Sequence, residues 1–220
     1  MTEITIIGGH GKVGLQLSRL LAAQGDTVNA VIRKEEQRQD VQDTGANPVV
    51  ADVQDMDVAA LTELLSGQDA VVWSAGAGGG SPERTYAVDR DAAIRSMDAA
   101  EAAGVKHYVM VSYMGAGQDH GVPEDNDFHA YAQSKADADD HLRASSLTWT
   151  ILGPGMLTDD AATGAIALGR AGEGESNTTA RGNVALVAAR VLADPRGTAK
   201  KFIEFADGDT PPAEAVDSLA

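Results

Sequence analysis

Residues 8–14 read GGHGKVG and separate the apolar run ITII at residues 4–7 from the stretch LQLSRLLAAQG at residues 15–25. The β-branched run before the glycines predicts a strand, and the spacing of the leucines after them predicts a helix. Glycine tolerates the backbone conformations of a tight turn and lets the main chain approach a ligand closely. The segment therefore predicts a strand-to-helix turn that is suited to binding.

The spacing of the glycines is typical of a turn that binds a dinucleotide. Gly8, Gly11 and Gly14 fit GxxGxxG, whereas Gly9, Gly11 and Gly14 fit GxGxxG, so spacing alone does not select one version. In such a turn the pyrophosphate lies at the N-terminus of the helix, where free amides and the helix dipole favour an anion. A purely structural turn is the alternative interpretation. The predicted cofactor-binding segment also contains the residues between the glycines: His10, Lys12 and Val13.

The end of the second predicted strand carries two cationic residues. TVNAVI at residues 27–32 is followed by Arg33 and Lys34, about where an NAD-binding protein offers a carboxylate to the ribose 2′-hydroxyl. A guanidinium instead binds a 2′-phosphate with paired hydrogen bonds, so we expect NADP to be preferred over NAD. Lys12 is predicted to add a cation to the same phosphate. The alternative is that all three side chains are ordinary solvated charges.

The third predicted strand ends at Ala51, Asp52 and Val53. At the carboxyl end of a strand beside the glycine turn, Asp52 is a candidate acceptor for the adenine amino group, and Val53 is a candidate contact for the ring. The alternative role of Asp52 is in a strand-end turn or a helix cap.

Short β-branched or aromatic runs alternate along the chain with segments of helical spacing. This alternation predicts an α/β fold with a doubly wound parallel sheet and helices on both faces. The strand candidates are ITII, TVNAVI, PVVAD, AVVWSA, HYVMVS and TWTIL. The helix candidates are residues 12–24, 35–43, 57–65, 84–103, 129–144, 183–193 and 212–219. Residues 159–179 are predicted to form a loop around one short helix.

Composition narrows the classes of function. Seventeen basic and thirty-three acidic side chains give a net charge of −16, which repels nucleic acids and anionic membranes. The chain has no cysteine, no apolar run of membrane-spanning length and no basic leader, so a cytoplasmic protein is expected. The five histidines show no metal-ligand spacing, and no metal is expected. With no repeat or linker visible, residues 1–220 are predicted to form a single domain.

Several segments together resemble the atypical short-chain dehydrogenase/reductases, the NAD(P)-binding or NmrA-like proteins. They are IIGGHGKVG, VIRK, ADVQD, VVWSAGAG, AVDRDAAIRSMDAAEAAGVKHYVMVS, YAQSKADADDHLRASSLTWTILGPGMLTDD and GDTPPAEAVDSL. The resemblance implies a Rossmann sheet of about seven strands with a small C-terminal substrate region. It also implies that the cofactor is lined after the fourth strand by Ser74, Ala75 and Gly76. The resemblance implies further that the segment of Pro154, Gly155, Met156 and Leu157 passes the nicotinamide.

The same resemblance suggests a catalytic group. Tyr131 and Lys135 form a YxxxK motif, and residues four apart share one face of a helix. A nearby ammonium would lower the pKa of Tyr131 and favour proton exchange with a substrate oxygen. The resemblance further implies that Lys135 binds the nicotinamide ribose, and Ser112 is predicted to orient the substrate oxygen.

The sequence as a whole favours an NADP-dependent oxidoreductase that acts on a small carbonyl, quinone or flavin-like acceptor. Tyr113 and Met114 stand where the dehydrogenase pattern usually has a serine or threonine, and Gly153 replaces a common arginine. These departures keep a non-catalytic NADP sensor open as an alternative. An epimerase or isomerase that recycles its cofactor is the third interpretation. The expected partner is a small-molecule substrate, and the chain is expected to be a monomer or a homodimer.

Overall fold

A computed structural model describes residues 1–79, 81–170 and 177–219, and strands and helices alternate along it. The strands are β1 (Glu3–Ile7), β2 (Thr27–Ile32), β3 (Asn47–Val50), β4 (Ala70–Trp73), β5 (His107–Val111), β6 (Trp149–Pro154), β7 (Met156–Thr158), β8 (Ile166–Leu168), β9 (Thr178–Ala180) and β10 (Lys201–Asp207). The helices are α1 (Lys12–Ala23), α2 (Arg38–Gln42), α3 (Val58–Leu65), α4 (Pro82–Thr85), α5 (Ala93–Ala103), α6 (His129–Ala144), α7 (Arg181–Ala193) and α8 (Pro212–Asp217).

The central sheet has eight strands in the order β3-β2-β1-β4-β5-β6-β10-β8. All neighbours are parallel except β8, which runs antiparallel to β10. Strand order reverses between β1 and β4, and in doubly wound sheets ligands bind in the crevice at such a point, beyond the carboxyl ends of the strands. The predicted doubly wound α/β fold is confirmed.

Helices cover both faces of the sheet and divide the core in two. Central strands are buried on both faces, so their sequences are nearly continuous apolar runs, such as AVVW in β4. On one face α1 packs against α7, and the core there includes Leu17, Val184 and Phe205. On the other face α3 packs against α5, with Leu61 and Met97 in its core. This sandwich holds the carboxyl ends of the strands in fixed relative positions.

The segment after β6 differs from the sequence-based prediction. Strands β8 and β10 were not predicted, and together they bring the sheet to eight strands rather than about seven. Strands β7 and β9 pair in parallel as a separate two-stranded sheet. The short helix predicted within residues 159–179 is absent from residues 159–170 and 177–179, where β8 and part of β9 lie instead. Residues 171–176 lie outside the described part of the chain.

The predicted helix at residues 84–103 is interrupted by a wider turn. Residues Tyr86–Ala92 are π-helical, between α4 and α5. Such segments insert an extra residue into a helical turn and are often found at functional sites. This one contains Asp89, which is buried. Within residues 1–79, 81–170 and 177–219, no helix combines the length and apolar character needed to cross a bilayer.

Candidate functional site

The glycine turn after β1 packs too tightly for any side chain at three of its positions. Gly8 has φ +91°, and a Cβ there would lie 2.6 Å from the amide nitrogen of Ala75. A Cβ on Gly9 would lie 2.6 Å from the Cβ of Ala30. A Cβ on Gly14 would lie 2.6 Å from the carbonyl oxygen of Gly8. Packing therefore requires glycine at both Gly8 and Gly9, so GxxGxxG and GxGxxG both describe this turn.

The N-terminus of α1 is open to an anionic ligand. Gly11 caps the helix with extended backbone and no side-chain hydrogen bond, and the first turn contains no acidic residue. The first amides of a helix have no partner within the helix, and they carry the positive end of its dipole. A cradle without Cβ atoms, next to uncapped amides, fits the pyrophosphate of a dinucleotide.

A cavity of about 480 Å³ opens beside this turn, at the carboxyl ends of the first four strands. It is the structural counterpart of the predicted cofactor site. The residues predicted from sequence that line it are Gly8, His10, Gly11, Arg33, Asp52, Val53, Ser74, Ala75 and Gly76. Asp52 also accepts a hydrogen bond from the amide of Gln54, so it closes the strand-end turn as well. Gly9 and Gly14 shape the turn from behind, and Val13 is buried in the core.

The three predicted cations do not surround one cavity. Arg33 lines it, but Lys12 forms an ion pair of 2.5 Å with Asp159, which also pairs with Arg181. Lys34 lies 3.7 Å from Glu36 and is not part of the lining. Lys12 sits in the first turn of α1, which places its side chain against the segment that follows β7. The prediction that Lys12 joins Arg33 and Lys34 around one phosphate is therefore not supported by the arrangement seen.

The structure adds polar residues to this cavity that the sequence analysis missed. The side-chain oxygen of Gln37 accepts hydrogen bonds from the amides of Arg33 and Lys34, at 3.1 and 3.0 Å. Its side-chain nitrogen lies 3.2 Å from Nδ1 of His10, whose Nε2 lies 2.7 Å from Asp40. Because the Gln37 amide donates to Nδ1, Nε2 carries the proton that is shared with Asp40. This network fixes the backbone that presents Arg33.

Arg84 also lines this cavity, from α4 on the opposite side. It places a second cation at the site at a position that no sequence pattern identified. The signal for Gln37 was its place three residues after Lys34, which directly precedes the helix predicted at residues 35–43, because a glutamine there often closes a capping box.

A second cavity, of about 530 Å³, lies at the carboxyl ends of β5 and β6. The predicted residues Ser112, Tyr131 and the segment from Pro154 to Leu157 meet in its wall. The other lining residues are Tyr113, Met114, Phe128 and Asn177. The rings of Tyr113, Phe128 and Tyr131 form a cluster with centroids 5.3 to 5.6 Å apart. The wall is thus aromatic and apolar, with hydroxyl groups at a few points.

Lys135 is buried beneath Tyr131 and does not line either of these cavities. Its Nζ donates a 2.8 Å hydrogen bond to the carbonyl oxygen of Val111 and lies 3.1 Å from Sδ of Met110. Burial lowers the pKa of Lys135, while the neighbouring Asp139 and Asp89 act against that shift. The lysine therefore ties α6 to the end of β5.

The prediction that Lys135 lowers the pKa of Tyr131 is wrong for this structure. Burial raises the pKa of Tyr131, and the negative charges of Asp89 and Asp139 raise it further. Tyr131 is consequently a protonated phenol near neutral pH, which suits a proton donor better than a base.

Asp139 is the main residue that sequence reasoning missed. Its Oδ2 accepts a 2.6 Å hydrogen bond from Oγ of Ser112, and both groups are buried. Burial raises the pKa of Asp139, whereas Lys135 and the Ser112 hydrogen bond act to lower it. Asp139 lies one helical turn beyond Lys135, so Tyr131, Lys135 and Asp139 share one face of α6. That spacing was the available signal, hidden in the acidic run ADADD.

Asp89 is buried and interacts with a residue of each cavity, Ala77 in the first and Tyr131 in the second. Its Oδ2 accepts a 2.9 Å hydrogen bond from the amide of Ala77, in the loop that lines the first cavity. A Cβ on Gly76 would lie 2.9 Å from its Oδ1, so that loop needs glycine there. Burial raises the pKa of Asp89, and the charges of Lys135 and Arg84 oppose that shift. Across the part of the chain that the structure describes, no three metal-ligating side chains come together.

Comparisons with known proteins agree with this geometry. The model of the NAD(P)H-binding family matches residues 8–195. A Bacillus subtilis protein named "Uncharacterized sugar epimerase YhfK" is 33% identical over 222 residues, which cover 99% of this chain and 100% of that protein. A solved structure from Bacillus halodurans, whose name assigns it to the NAD-dependent epimerases/dehydratases, has a TM-score of 0.89 at 31% identity and covers 99% of this chain and 100% of its own.

A second solved structure extends the comparison to oxidoreductases. The Lactococcus lactis oxidoreductase ylbE has a TM-score of 0.83 at 29% identity, over 99% of this chain and 96% of its own. The family match itself spans most of this chain and includes the glycine turn. The protein therefore belongs to the NAD(P)H-binding family, in agreement with its resemblance to the atypical short-chain dehydrogenase/reductases.

Proposed function

We propose that this protein is an NADP-dependent oxidoreductase that reduces a small carbonyl, quinone or flavin-like acceptor. The observation that carries the proposal is the placement of the two cavities. The glycine-cradled cavity lies at the ends of β1 to β4, and the aromatic cavity with Tyr131 and Ser112 lies at the ends of the next strands, β5 and β6. A nucleotide site and an acceptor site on successive strands suit hydride transfer between them.

The residues of the first cavity divide the work of holding the nucleotide. The glycine turn and the open amides of α1 bind the pyrophosphate, and Arg33 binds the 2′-phosphate. We assign the adenine to Asp52 and Val53 and the ribose to the loop of Ser74, Ala75 and Gly76, because all of these residues line the cavity. When bound, NADPH supplies the hydride. Preference for NADP rests on Arg33, which lines the cavity where an NAD-specific protein would offer a carboxylate.

The residues of the second cavity act on the acceptor. Tyr131 holds a proton on its hydroxyl and donates it to an oxygen in the cavity, because its raised pKa keeps it protonated. Ser112 orients that oxygen, and Lys135 holds the catalytic face of α6 against β5 through Val111. The ring cluster of Tyr113, Phe128 and Tyr131 excludes water and packs against an apolar or conjugated acceptor.

The composition of the second cavity favours a reductase over a nucleotide-sugar epimerase. A sugar nucleotide carries a diphosphate, which proteins usually bind with Arg or Lys. Neither residue type is among the described residues that line this cavity. Arg170 approaches from nearby at Gly115, but it pairs with Glu204. A non-catalytic sensor remains the second candidate, supported by Tyr113, Met114 and Gly153. The NmrA-like branch, the single domain and a cytoplasmic location stay predictions from the sequence.

Calorimetric titration with NADPH and, separately, with NADH is the first test. We expect NADPH to bind clearly more tightly than NADH. The loaded protein is then mixed with a set of aromatic ketones, quinones and free flavin, and NADPH oxidation is followed optically. Turnover of a member of this set supports the reductase. Binding without turnover favours the sensor, and interconversion of a nucleotide sugar favours the epimerase. If neither nucleotide binds, the proposed function is rejected.

A further inference from the structure

Ser112 and Asp139 form a buried hydroxyl–carboxylate pair behind the second cavity. Ser112 lines the cavity, and its Oγ donates to Oδ2 of Asp139 at 2.6 Å. The other carboxylate oxygen, Oδ1, is buried and has no hydrogen-bond partner among the residues that the structure describes. A carboxylate with an unpartnered oxygen in the interior is costly and calls for an explanation, of which a functional role is one.

A hydrogen count limits what Ser112 can do in this arrangement. A serine hydroxyl has one hydrogen to donate and two lone pairs that accept. While Asp139 is ionised, that hydrogen is held by Oδ2, and Ser112 can only accept a hydrogen bond from a ligand. An alcohol can donate to it, whereas a ketone oxygen has no hydrogen to offer. With Asp139 ionised, the pair therefore suits an alcohol better than a ketone.

We propose that Asp139 is a positioning residue that sets whether Ser112 accepts or donates a hydrogen bond in the second cavity. A proton taken up from solvent by the carboxyl group makes Asp139 a donor to Oγ of Ser112. The Ser112 hydroxyl then turns its own hydrogen toward the cavity, where a ketone oxygen accepts it. The protonated pair selects the ketone and the ionised pair selects the alcohol. The choice of a ketone and an alcohol as ligands rests on the proposed reductase function. The reversal of the hydrogen bond between Asp139 and Ser112 does not depend on that function.

Some of the charged and titratable groups around Asp139 lower its pKa and others raise it. On its own helix, Lys135 and Arg143 favour the carboxylate and Asp140 disfavours it. Tyr113, from the segment after β5, and Tyr131 both interact with its charge. Asp89, from the π-helical turn packed on α6, interacts with Lys135 and Tyr131. Burial is the largest influence and raises the pKa of Asp139.

The first test needs no substrate. The side-chain carboxyl carbon of Asp139 is followed by NMR through a pH titration and assigned by its loss in Asp139→Asn. We expect it to titrate above the ordinary aspartate value of about 3.9. Ser112→Ala removes one hydrogen bond to the carboxylate and should move the midpoint up by about one pH unit. A midpoint in the ordinary range, or one that ignores Ser112→Ala, overturns the proposal.

The second test measures ligand selection in complexes that cannot turn over, with the ketone added to the protein loaded with oxidised NADP and the alcohol added to the protein loaded with NADPH. The probes are 2-acetylnaphthalene and the matching alcohol, 1-(2-naphthyl)ethanol, titrated on both sides of the Asp139 midpoint. We expect the affinity of the ketone relative to the alcohol to rise several-fold as Asp139 gains its proton. In Asp139→Asn this ratio should no longer change with pH. The control Asp140→Asn, at an exposed position on the same helix, should keep the pH dependence, with a midpoint slightly lower than in the parent protein because Asp140 disfavours the Asp139 carboxylate.

The two tests separate the failure of this proposal from that of the proposed function. The selection of ligands by Asp139 is overturned if Asp139 titrates with the raised midpoint expected above but the ratio of ketone affinity to alcohol affinity in the parent protein does not change with pH. If neither probe binds at any pH, the aromatic acceptor class of the proposed function is rejected. The carboxyl titration still decides in that case whether Asp139 and Ser112 share a hydrogen bond that reverses on protonation.

Discussion

Gly8 and Ala75 lie in such close contact that a methyl group on Gly8 would come within 2.6 Å of the amide nitrogen of Ala75. This contact joins the turn after β1 to the loop after β4, at the crevice where strand order reverses. Gly8→Ala therefore has to move one of these two segments. We expect both the free energy of unfolding and the affinity for NADPH to fall, as measured by chemical denaturation and calorimetry.

Gly25→Ala is the matched control for that change. Gly25 has a similar φ of +87°, but a Cβ there would meet nothing within 4 Å. It should lose only the roughly 1–2 kcal/mol that a side chain costs in left-handed backbone, and it should keep NADPH affinity. Equal losses in the two variants would show that the contact with Ala75 has no part in binding.

Arg33→Ala should separate the two nicotinamide cofactors. Loss of charge-assisted hydrogen bonds to a 2′-phosphate costs about 1.5–3 kcal/mol, so NADPH affinity should fall by roughly 10- to 150-fold while NADH affinity changes little. Lys34→Ala is the control, because Lys34 does not line the cavity and lies near Glu36. Calorimetry on both variants decides the matter. A larger loss of NADPH affinity in Lys34→Ala than in Arg33→Ala would show that the assignment of the 2′-phosphate to Arg33 is wrong.

Tyr131→Phe should remove the proton donor without emptying the nucleotide site. We expect kcat with an identified acceptor to fall by about 10²- to 10⁴-fold, with NADPH affinity within a few-fold of the parent. Tyr113→Phe is the control, since its ring lies 5.6 Å from that of Tyr131 and its buried hydroxyl has no partner among the described residues. Normal turnover by Tyr131→Phe would exclude proton transfer from this residue.

His107 should make stability sensitive to acid. Its Nε2 donates to Oγ1 of Thr150, because that hydroxyl donates in turn to the carbonyl oxygen of Thr198. Nδ1 is buried without a partner among the described residues, and burial lowers the pKa of His107 to about 4. The unfolded chain therefore binds the proton first, near pH 6.5, and stability is lost as the pH falls from about 6.5 to about 4.

His107→Gln should remove about 3 kcal/mol of that pH dependence, measured as the difference in unfolding free energy between pH 7 and pH 4. The comparison is between slopes with pH, so a uniform loss of stability in His107→Gln does not affect it. A slope equal to that of the parent would contradict the role of His107.

The architecture was predictable because local patterns and tertiary environment agree in the first two-thirds of the chain. The apolar runs of β1, β2 and β4 are buried on both faces, and the glycine turn is where a strand meets a helix. Strand β10 escaped prediction because KFIEFAD mixes charged residues with apolar ones and offers no uniform run. Strands β7, β8 and β9 have three residues each, which is too short for a periodicity to be visible.

The site was predictable as a set of residues but not as a set of charges. Arg33, Ser112 and Tyr131 reach cavity walls as their positions at strand ends and on α6 implied. Lys12 does not, because its partner Asp159 lies far along the chain. The pKa of Tyr131 was misjudged for a similar reason. Its direction depends on Asp89 and Asp139, and nothing in the sequence shows that these two carboxylates are buried beside it.

The π-helical turn places the carboxylate of Asp89 where it interacts with residues of both cavities. Asp89 holds the amide of Ala77 at the nucleotide side, and its charge acts on Tyr131 and Lys135 at the acceptor side. We therefore expect a substitution at Asp89 to alter the proposed nucleotide affinity and the proposed proton donation together. Neither cavity can therefore be altered at this position without an effect on the other.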